Sequence, residues 1–246
     1  MFKSVFVSSY PDKQKALTSL LAESQDNSDF YFLLALASFI TTLGLLINNT
    51  IVVLGGMLVA PLLFPILSLA MGLVTSSRRA IYRGTKIISR SIVLIFIVSF
   101  ITSFMFAQPE VIDNGLLGYV MPDLFLFLIS FATGLAVSFS WVRKDLSATL
   151  PGVAISVSLI IPLVSLAIGL TLLNRAVIAG AITLFLMDTL AIVFAGMIVF
   201  SLFGFSNLQD KEEEKITEEE LETKVHQEAI AEAKTSAIVD SPNFSG

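Results

Sequence analysis

The chain has no cysteine, which excludes disulfide bonds and thiol chemistry. Its one histidine, His226, lies alone in a charged tail and is not expected to bind a metal. Only 14% of its 246 residues are charged, where a soluble domain carries about a quarter. By contrast, 55% are hydrophobic and the mean hydropathy is +0.85. Apolar runs of about 20 residues predict an all-α membrane protein, since barrel strands are shorter and alternate.

Charge is placed unevenly along the chain. From residue 207 onward, eleven acidic residues and four lysines give a net charge of −7, so the rest carries +2 of the total of −5. No basic patch suggests a nucleic-acid partner, and membrane lipids are the expected partners. The tail, 205–246, is predicted to be a solvated, partly disordered cytoplasmic segment, with a short helix or loose self-association through its apolar residues, such as Ile216, as the alternative. Residues 1–29 are predicted to be a cytoplasmic leader, either polar or containing a helix to about residue 23 that lies on the membrane surface.

Six apolar spans follow the leader, at 30–47, 51–74, 87–107, 124–142, 150–173 and 176–202. They divide into a first membrane unit, 30–107, an extracytoplasmic loop, 108–122, and a second unit, 123–204. With the N-terminus inside, fourteen of the fifteen lysines and arginines are cytoplasmic. The sequence therefore predicts a multi-pass protein of the cell membrane with both termini in the cytoplasm.

An internal repeat relates the two units at an offset of 97 residues. Proline, serine and glycine recur at this offset, as Pro65 and Pro162, Ser68 and Ser165, Gly72 and Gly169, and Gly55 and Gly152. Each unit has three spans, an odd number, so the second must enter the membrane in the opposite sense. We therefore expect two inverted three-helix repeats, with the second and fifth helices broken at proline and glycine.

The breaks predict a solute or ion pathway near the middle of the membrane. Proline removes a backbone donor, and freed carbonyls in hydrocarbon must face protein or water. Pro61, Pro65 and Pro162 mark this region, and the alternative is a kink absorbed by packing. Gly55 and Gly56, and their counterpart near residue 152, are either a packing face or an unwound stretch that exposes amides.

Asp188 is the ionisable side chain predicted to lie deepest in a span. A charge there is costly, so it must face a partner or a cavity, or be protonated. Proton coupling and cation coordination are the functional interpretations. The structural one is a hydrogen bond from a neutral Asp188 to a serine of span four or five; the candidates are Ser130, Ser138, Ser156 and Ser158. The equivalent position in the first unit is Ser91.

Two polar groups flank the spans. Asn48 and Asn49 either cap helix ends or line the mouth of the pathway. The basic cluster that follows span two is expected to anchor at anionic lipid headgroups, with a phosphate-bearing ligand as the alternative. Its members are Arg78, Arg79, Arg83 and Lys86.

Several of these residues resemble a prokaryotic membrane family recorded as the "uncharacterised hydrophobic domain", a domain of unknown function. The similarity rests on residues 44–49, the glycines and prolines of span two, the segment 150–154 with Pro162, and the stretch Phe-Leu-Met-Asp that ends at Asp188. It covers residues 30–203. Members often have a second proline in place of Ile161 and an asparagine in place of Asp188. The resemblance implies a membrane location and no established activity.

Taken together, these patterns favour a small transporter or channel that moves a small solute or ion between two inverted repeats. The alternative is a membrane scaffold or sensor subunit that acts through its tail. An enzyme is not expected, because HExxH, GxSxG and CxxC motifs are absent. No cofactor is expected, and six spans are too few to enclose a wide pathway, so we expect a homo-oligomer.

Overall fold

The computed structural model describes residues 10–24, 26–109, 115–143, 151–208, 213–218 and 221, with backbone alone for 10, 11, 151–158 and 207. Every regular element in these residues is helical. The helices are α1 Tyr10–Glu23, α2 Ser28–Leu46, α3 Thr50–Val59, α4 Leu63–Thr75, α5 Arg78–Phe106, α6 Leu117–Val120, α7 Leu124–Val142, α8 Pro151–Thr171 and α9 Arg175–Leu202. A single 3-10 turn, Phe205–Asn207, follows.

Four of these helices, α2, α5, α7 and α9, are long and apolar enough to cross a membrane. The pair α3–α4, bent by 53°, is either a fifth, broken span or a re-entrant loop, and residues Leu159–Thr171 of α8 form a shorter apolar helix. The apolar helices indicate a membrane protein. They match the six predicted segments in position, while six spans in two inverted repeats remains a prediction.

The helices are joined by two nearly identical tight turns. At the end of α4, Ser76 has φ 59°, and the N–H of Ser77 donates to the carbonyl of Gly72. At the end of α8, Leu173 has φ 55°, and the N–H of Asn174 donates to the carbonyl of Gly169. Ser77 and Asn174 then cap the next helix with their side chains. All these positions are 97 residues apart.

The burial pattern repeats at the same offset. Residues 62–74 and 159–171 have the same degree of burial at each corresponding position, as do residues 78–89 and 175–186. Each of the eight buried residues of α5 has a buried counterpart in α9. Partners correspond as well, since α5 packs on α8 and α4 packs on α9. The long helices α5 and α9 share few residue types, yet their burial patterns show the repeat.

One end of the bundle, which we call the basic end, is closed by α1. The indole N–H of Trp141, at the end of α7, donates to the carbonyl of Ala16 at 3.0 Å. The ammonium of Lys13 donates to the carbonyl of Gly204, just beyond α9, at 3.5 Å. The apolar face of α1 is fully buried by protein. The helix ends at the residue expected, but its leucines pack on the bundle and do not lie on a lipid surface.

Part of the acidic tail also packs at the basic end. Residues 213–218 are helical, and Ile216 is completely buried. The hydroxyl of Ser77 donates to Glu213 at 3.4 Å, and Arg79 donates to Thr217. This stretch is therefore docked on the start of α5, which corrects the expectation of a wholly solvated tail. Since α5 starts at the end where α9 stops, these two helices run in opposite directions.

The prediction of two broken helices is half right. The chain breaks between α3 and α4, where Ala60 is extended with ψ 116°. However, α8 is one continuous helix with Pro162 inside it. The two helices differ in their number of prolines. Pro61 and Pro65 both lie in the second span, whereas α8 has Ser158 at the position that corresponds to Pro61. A single proline removes one hydrogen bond and kinks a helix, and membrane helices tolerate this.

Candidate functional site

Asp188 lies at the middle of α9 and is 1% exposed. The hydroxyl of Ser130, on α7, donates to its Oδ1 atom at 2.6 Å. Of the four serines proposed as partners, Ser130 is thus the one that makes the contact among the described side chains, which do not include Ser156 and Ser158. A buried carboxyl held by a neutral hydroxyl is not neutralised by a neighbouring charge. The contact is the interhelical hydrogen bond that the structural interpretation of Asp188 expects.

The α3–α4 break lies inside the bundle. Ala60, Leu62 and Leu63 are 5%, 3% and 1% exposed. Pro61 sits in the break itself, whereas Pro65 is the third residue of α4. In the first turn of a helix an N–H has no partner within the helix, so Pro65 does not disturb α4. The change of direction is therefore due to Pro61 and its neighbours.

The register of α4 against α5 brings Ser91 to the depth of this break. A Cβ atom built on Gly72 would lie 2.9 Å from that of Ala80, and one on Gly84 would lie 3.3 Å from that of Leu69. The helices are antiparallel, so two turns beyond the contact of Leu69 with Gly84 the same register places Ser91 at the depth of Leu62 in the bundle.

The register of α4 against α9 places Asp188 at the same depth. A Cβ atom on Gly196 would lie 2.9 Å from that of Ala70. Both helices end at the basic end, so two turns back along each brings Asp188 level with Leu62. The break, Ser91 and Asp188 thus lie at about the same depth in the bundle. Pro162 is buried in α8, which has no break at the corresponding position.

The two glycines of α3 differ in their surroundings. A Cβ atom on Gly56 would meet the hydroxyl of Thr41 at 2.3 Å and its backbone nitrogen at 2.8 Å, whereas one on Gly55 would meet nothing within 4 Å. Both lie in regular helix, and Gly56 has the close contact that a packing face requires. Gly152 is in the first turn of α8, where the side chains are outside the described residues.

The two asparagines cap helices. Asn48 ends α2 in the left-handed conformation, with φ 51°. The side chain of Asn49 accepts hydrogen bonds from the N–H groups of Ile51 and Val52, at the start of α3. Both asparagines are exposed at the end of the bundle opposite the basic end. Capping accounts for both.

Some side chains of the basic cluster contact other residues of the same protein. Lys86 lies 3.8 Å from the carboxylate of Asp26, which also pairs with Arg90. Arg79 contacts the docked tail stretch, and Arg83 is half-buried. Arg78, in the first turn of α5, is exposed. These internal contacts compete with the predicted binding of the four side chains to lipid headgroups.

Ser91 has an environment that the sequence did not reveal. It is fully buried, and its hydroxyl has no hydrogen-bond partner among the described residues. Some buried helical hydroxyls bond a carbonyl one turn back, as those of Ser38 and Thr42 do, whereas those of Ser99 and Ser165 resemble Ser91 in having no partner among the described residues. The available signal was the repeat itself, which aligns Ser91 with Asp188.

Within the described residues, these features define a helical membrane protein with one buried carboxyl and one broken helix. The chain belongs to the family described as a domain of unknown function, DUF389, which matches residues 57–194. An uncharacterised protein of Methanocaldococcus jannaschii is 25% identical over 177 residues, covering 71% of this chain and 54% of that relative. The chain thus spans about half the length of the relative. No solved structure matches significantly.

Proposed function

We propose that the chain is a small transporter or channel that moves a small solute or ion between two inverted three-helix halves, with Asp188 as its proton-binding group. The first half is α2 to α5 and the second is α7 to α9. The observation that carries the proposal is a lone carboxyl, sealed in protein at the depth of a broken helix. In membrane proteins such residues line ion or proton pathways.

The relation between the halves is supported by packing. The turns after α4 and α8 have the same hydrogen bonds, and the buried positions of α5 recur in α9. Helices α5 and α9 run in opposite directions, as an inverted repeat requires. Transporters built in this way carry their sites where the two repeats meet, near the middle of the membrane.

A proton suits Asp188 better than a metal ion does. Divalent cations take six or more oxygen ligands, whereas the described residues bring Ser130 and Asp188 together as a pair. A carboxyl with one hydroxyl neighbour needs no further ligand to take up a proton. We also propose that both termini are cytoplasmic, because the basic end gathers the lysines and arginines of α1 and α5.

The test is proton flux in liposomes reconstituted with the purified protein. Wild type is expected to dissipate an imposed pH gradient, and Asp188→Asn, which keeps the shape but not the titratable group, is expected to lose most of that flux. Ser130→Ala should alter its pH dependence. Ser140→Ala is the matched control, because that hydroxyl is also on α7 but bonds the carbonyl of Ala136. Equal flux in wild type and Asp188→Asn would refute the role of Asp188.

A further inference from the structure

Short helices close both ends of the bundle, and they are held to it unequally. At the basic end, α1 buries four apolar side chains, those of Ala16, Leu17, Leu20 and Leu21. The hydrogen bonds of Trp141 and Lys13 described above also tie α1 to the bundle. At the far end, opposite the basic end, α6 has four residues, and the side chains buried there are Leu116 and Val120. Since hydrophobic stabilisation grows with the apolar area buried, the closure by α6 is the weaker one.

Helix α6 rests on α9 through its own backbone. It packs on α8 and α9, and a Cβ atom built on Gly180 would lie 2.6 Å from the carbonyl oxygen of Val120. The hydroxyls of Tyr119 and Thr50 share a hydrogen bond of 2.9 Å that joins α6 to the start of α3. This bond is exposed, so water can replace it at little cost. The contact with Gly180 is therefore the place where α6 closes onto the second half.

Two joints flank α6. Before it, Gly115 has φ 118°, a backbone conformation that residues with a side chain rarely adopt. After it, residues 121–123 are exposed, and Met121 and Asp123 have extended backbones. Hinges of moving elements are a few loop residues of this kind, which absorb the change in backbone angles. Helix α6 can therefore turn between these joints while α7, with its Ser130, stays in place.

Asp188 lies beneath the contact of α6 with α9. It follows Gly180 by eight residues, about 12 Å along the helix, and Leu184, which is 5% exposed, lies halfway between them. Towards the basic end the helices themselves are in close contact, since a Cβ atom built on Gly134 of α7 would lie 2.8 Å from that of Ala195 of α9. Long helices packed along their length seal Asp188 on that side, whereas a short helix between two joints closes the other.

We propose that α6 is a gate at the far end of the bundle, and that water and protons reach Asp188 from this side when the gate opens. The proposal rests on the proposed function and adds the side from which its proton-binding group is reached. With both termini in the cytoplasm, that side is extracytoplasmic. Opening breaks the contact of Val120 with Gly180 and the hydrogen bond of Tyr119 with Thr50, and the structure shows the closed form.

The experiment measures whether a water-soluble reagent reaches the part of α9 between α6 and Asp188. The chain has no cysteine, so Leu184→Cys gives the purified full chain a single thiol. Its reaction with a charged, membrane-impermeant methanethiosulfonate is followed by mass spectrometry. Gly180→Ala presses a methyl group on the carbonyl of Val120, and this overpacking should raise the reaction rate by about tenfold or more. Tyr119→Phe removes one hydrogen bond and should raise the rate by about twofold to tenfold.

A matched cysteine on the other side of Asp188 locates the effect. Ile192 is completely buried one turn towards the basic end, so Ile192→Cys should react slowly with and without the gate variants. Ala181→Cys is a smaller change at a position that is 1% exposed, and it replaces Leu184→Cys if that variant does not fold. The proposal is overturned if neither gate variant speeds the reaction of the far-end cysteine. It is also overturned if Ile192→Cys gains as much, since the whole bundle would then have loosened.

The side of access is tested in intact cells, where the reagent reaches the extracytoplasmic face alone. Leu184→Cys combined with Gly180→Ala should be labelled there, and labelling that needs broken membranes would overturn the assigned side. Because labelling requires no flux, it separates the gate from the proposed function. A response of Leu184→Cys to both gate variants, in a protein whose flux is equal in wild type and Asp188→Asn, would refute the proposed function and leave the gate.

Discussion

The two halves of the molecule bury corresponding positions and differ in the polar groups that these positions carry. In both halves a helix ends at a glycine, turns through a left-handed residue and continues as a long helix whose buried stripe has the same register. In the first half the short helix begins at a break, and the residue at its depth is Ser91. In the second half α8 is continuous, and the corresponding residue is Asp188.

This difference separates what holds the fold from what gives it chemistry. Close packing constrains which positions are buried, and the halves agree on these positions although the side chains differ. A polar group in hydrocarbon is costly, so it is retained where it has a use. A helix end with partial positive charge in one half and a carboxyl in the other form an asymmetric pair at one depth.

The largest effect is expected from imposing the first half's proline pattern on the second. Ser158→Pro gives α8 two prolines four residues apart, as Pro61 and Pro65 are. Proline inside a helix costs about 3 kcal/mol or more, so unfolding in mixed micelles should show a loss of that size. The reverse change, Pro61→Ser, should cost much less, since Pro61 is outside helix. Equal losses would mean that α8 has a break of its own.

The next effect tests what the halves share. Gly72→Ala brings a methyl group to 2.9 Å from Cβ of Ala80 and 3.1 Å from the amide nitrogen of Ile81, while Gly169→Ala meets the side chain of Val177 at 2.8 Å. Overpacking of this kind costs about 1–3 kcal/mol. Both variants should be destabilised in the same unfolding measurement, Gly72→Ala more, because backbone cannot move aside. A neutral result at either glycine would break the equivalence of the two turns.

The sequence predicts much of the fold because hydrophobicity and turn residues are local signals. It placed α7 at its observed bounds and the end of α1 at Glu23, and it located the break of span two. It erred on α8, since the effect of one proline depends on tertiary neighbours. The sequence offered four serines as partners of Asp188 and could not choose Ser130 among them. The choice depends on how α7 is rotated against α9, and that rotation is set by packing. Ile216 was visible as an apolar residue of the tail, but the uneven spacing of these residues did not predict that it would be buried against the bundle.

A smaller effect measures the polar pair that the second half has and the first lacks. A double-mutant cycle of Ser130→Ala and Asp188→Ala, which removes the accepting oxygen, should give a coupling energy of about 0.6 kcal/mol and at most about 1.7 kcal/mol, as hydrogen bonds between membrane helices do. Leu33 and Ser91 occupy the corresponding positions in the first half, and the cycle of Leu33→Ala and Ser91→Ala should give no coupling. Coupling in both cycles would mean that the coupling energy comes from helix packing and not from the hydrogen bond.

The smallest effect concerns the two adjacent glycines of α3. A methyl group at position 55 meets nothing within 4 Å, and Gly in a helix interior costs about 0.5–1 kcal/mol relative to Ala, so Gly55→Ala should stabilise the protein by about 0.5 kcal/mol. Gly56→Ala should destabilise it, because its methyl group would collide with Thr41. If Gly55→Ala instead abolishes flux without loss of stability, then α3 unwinds at that glycine during transport. The first half would then move at its break while the continuous α8 stays fixed.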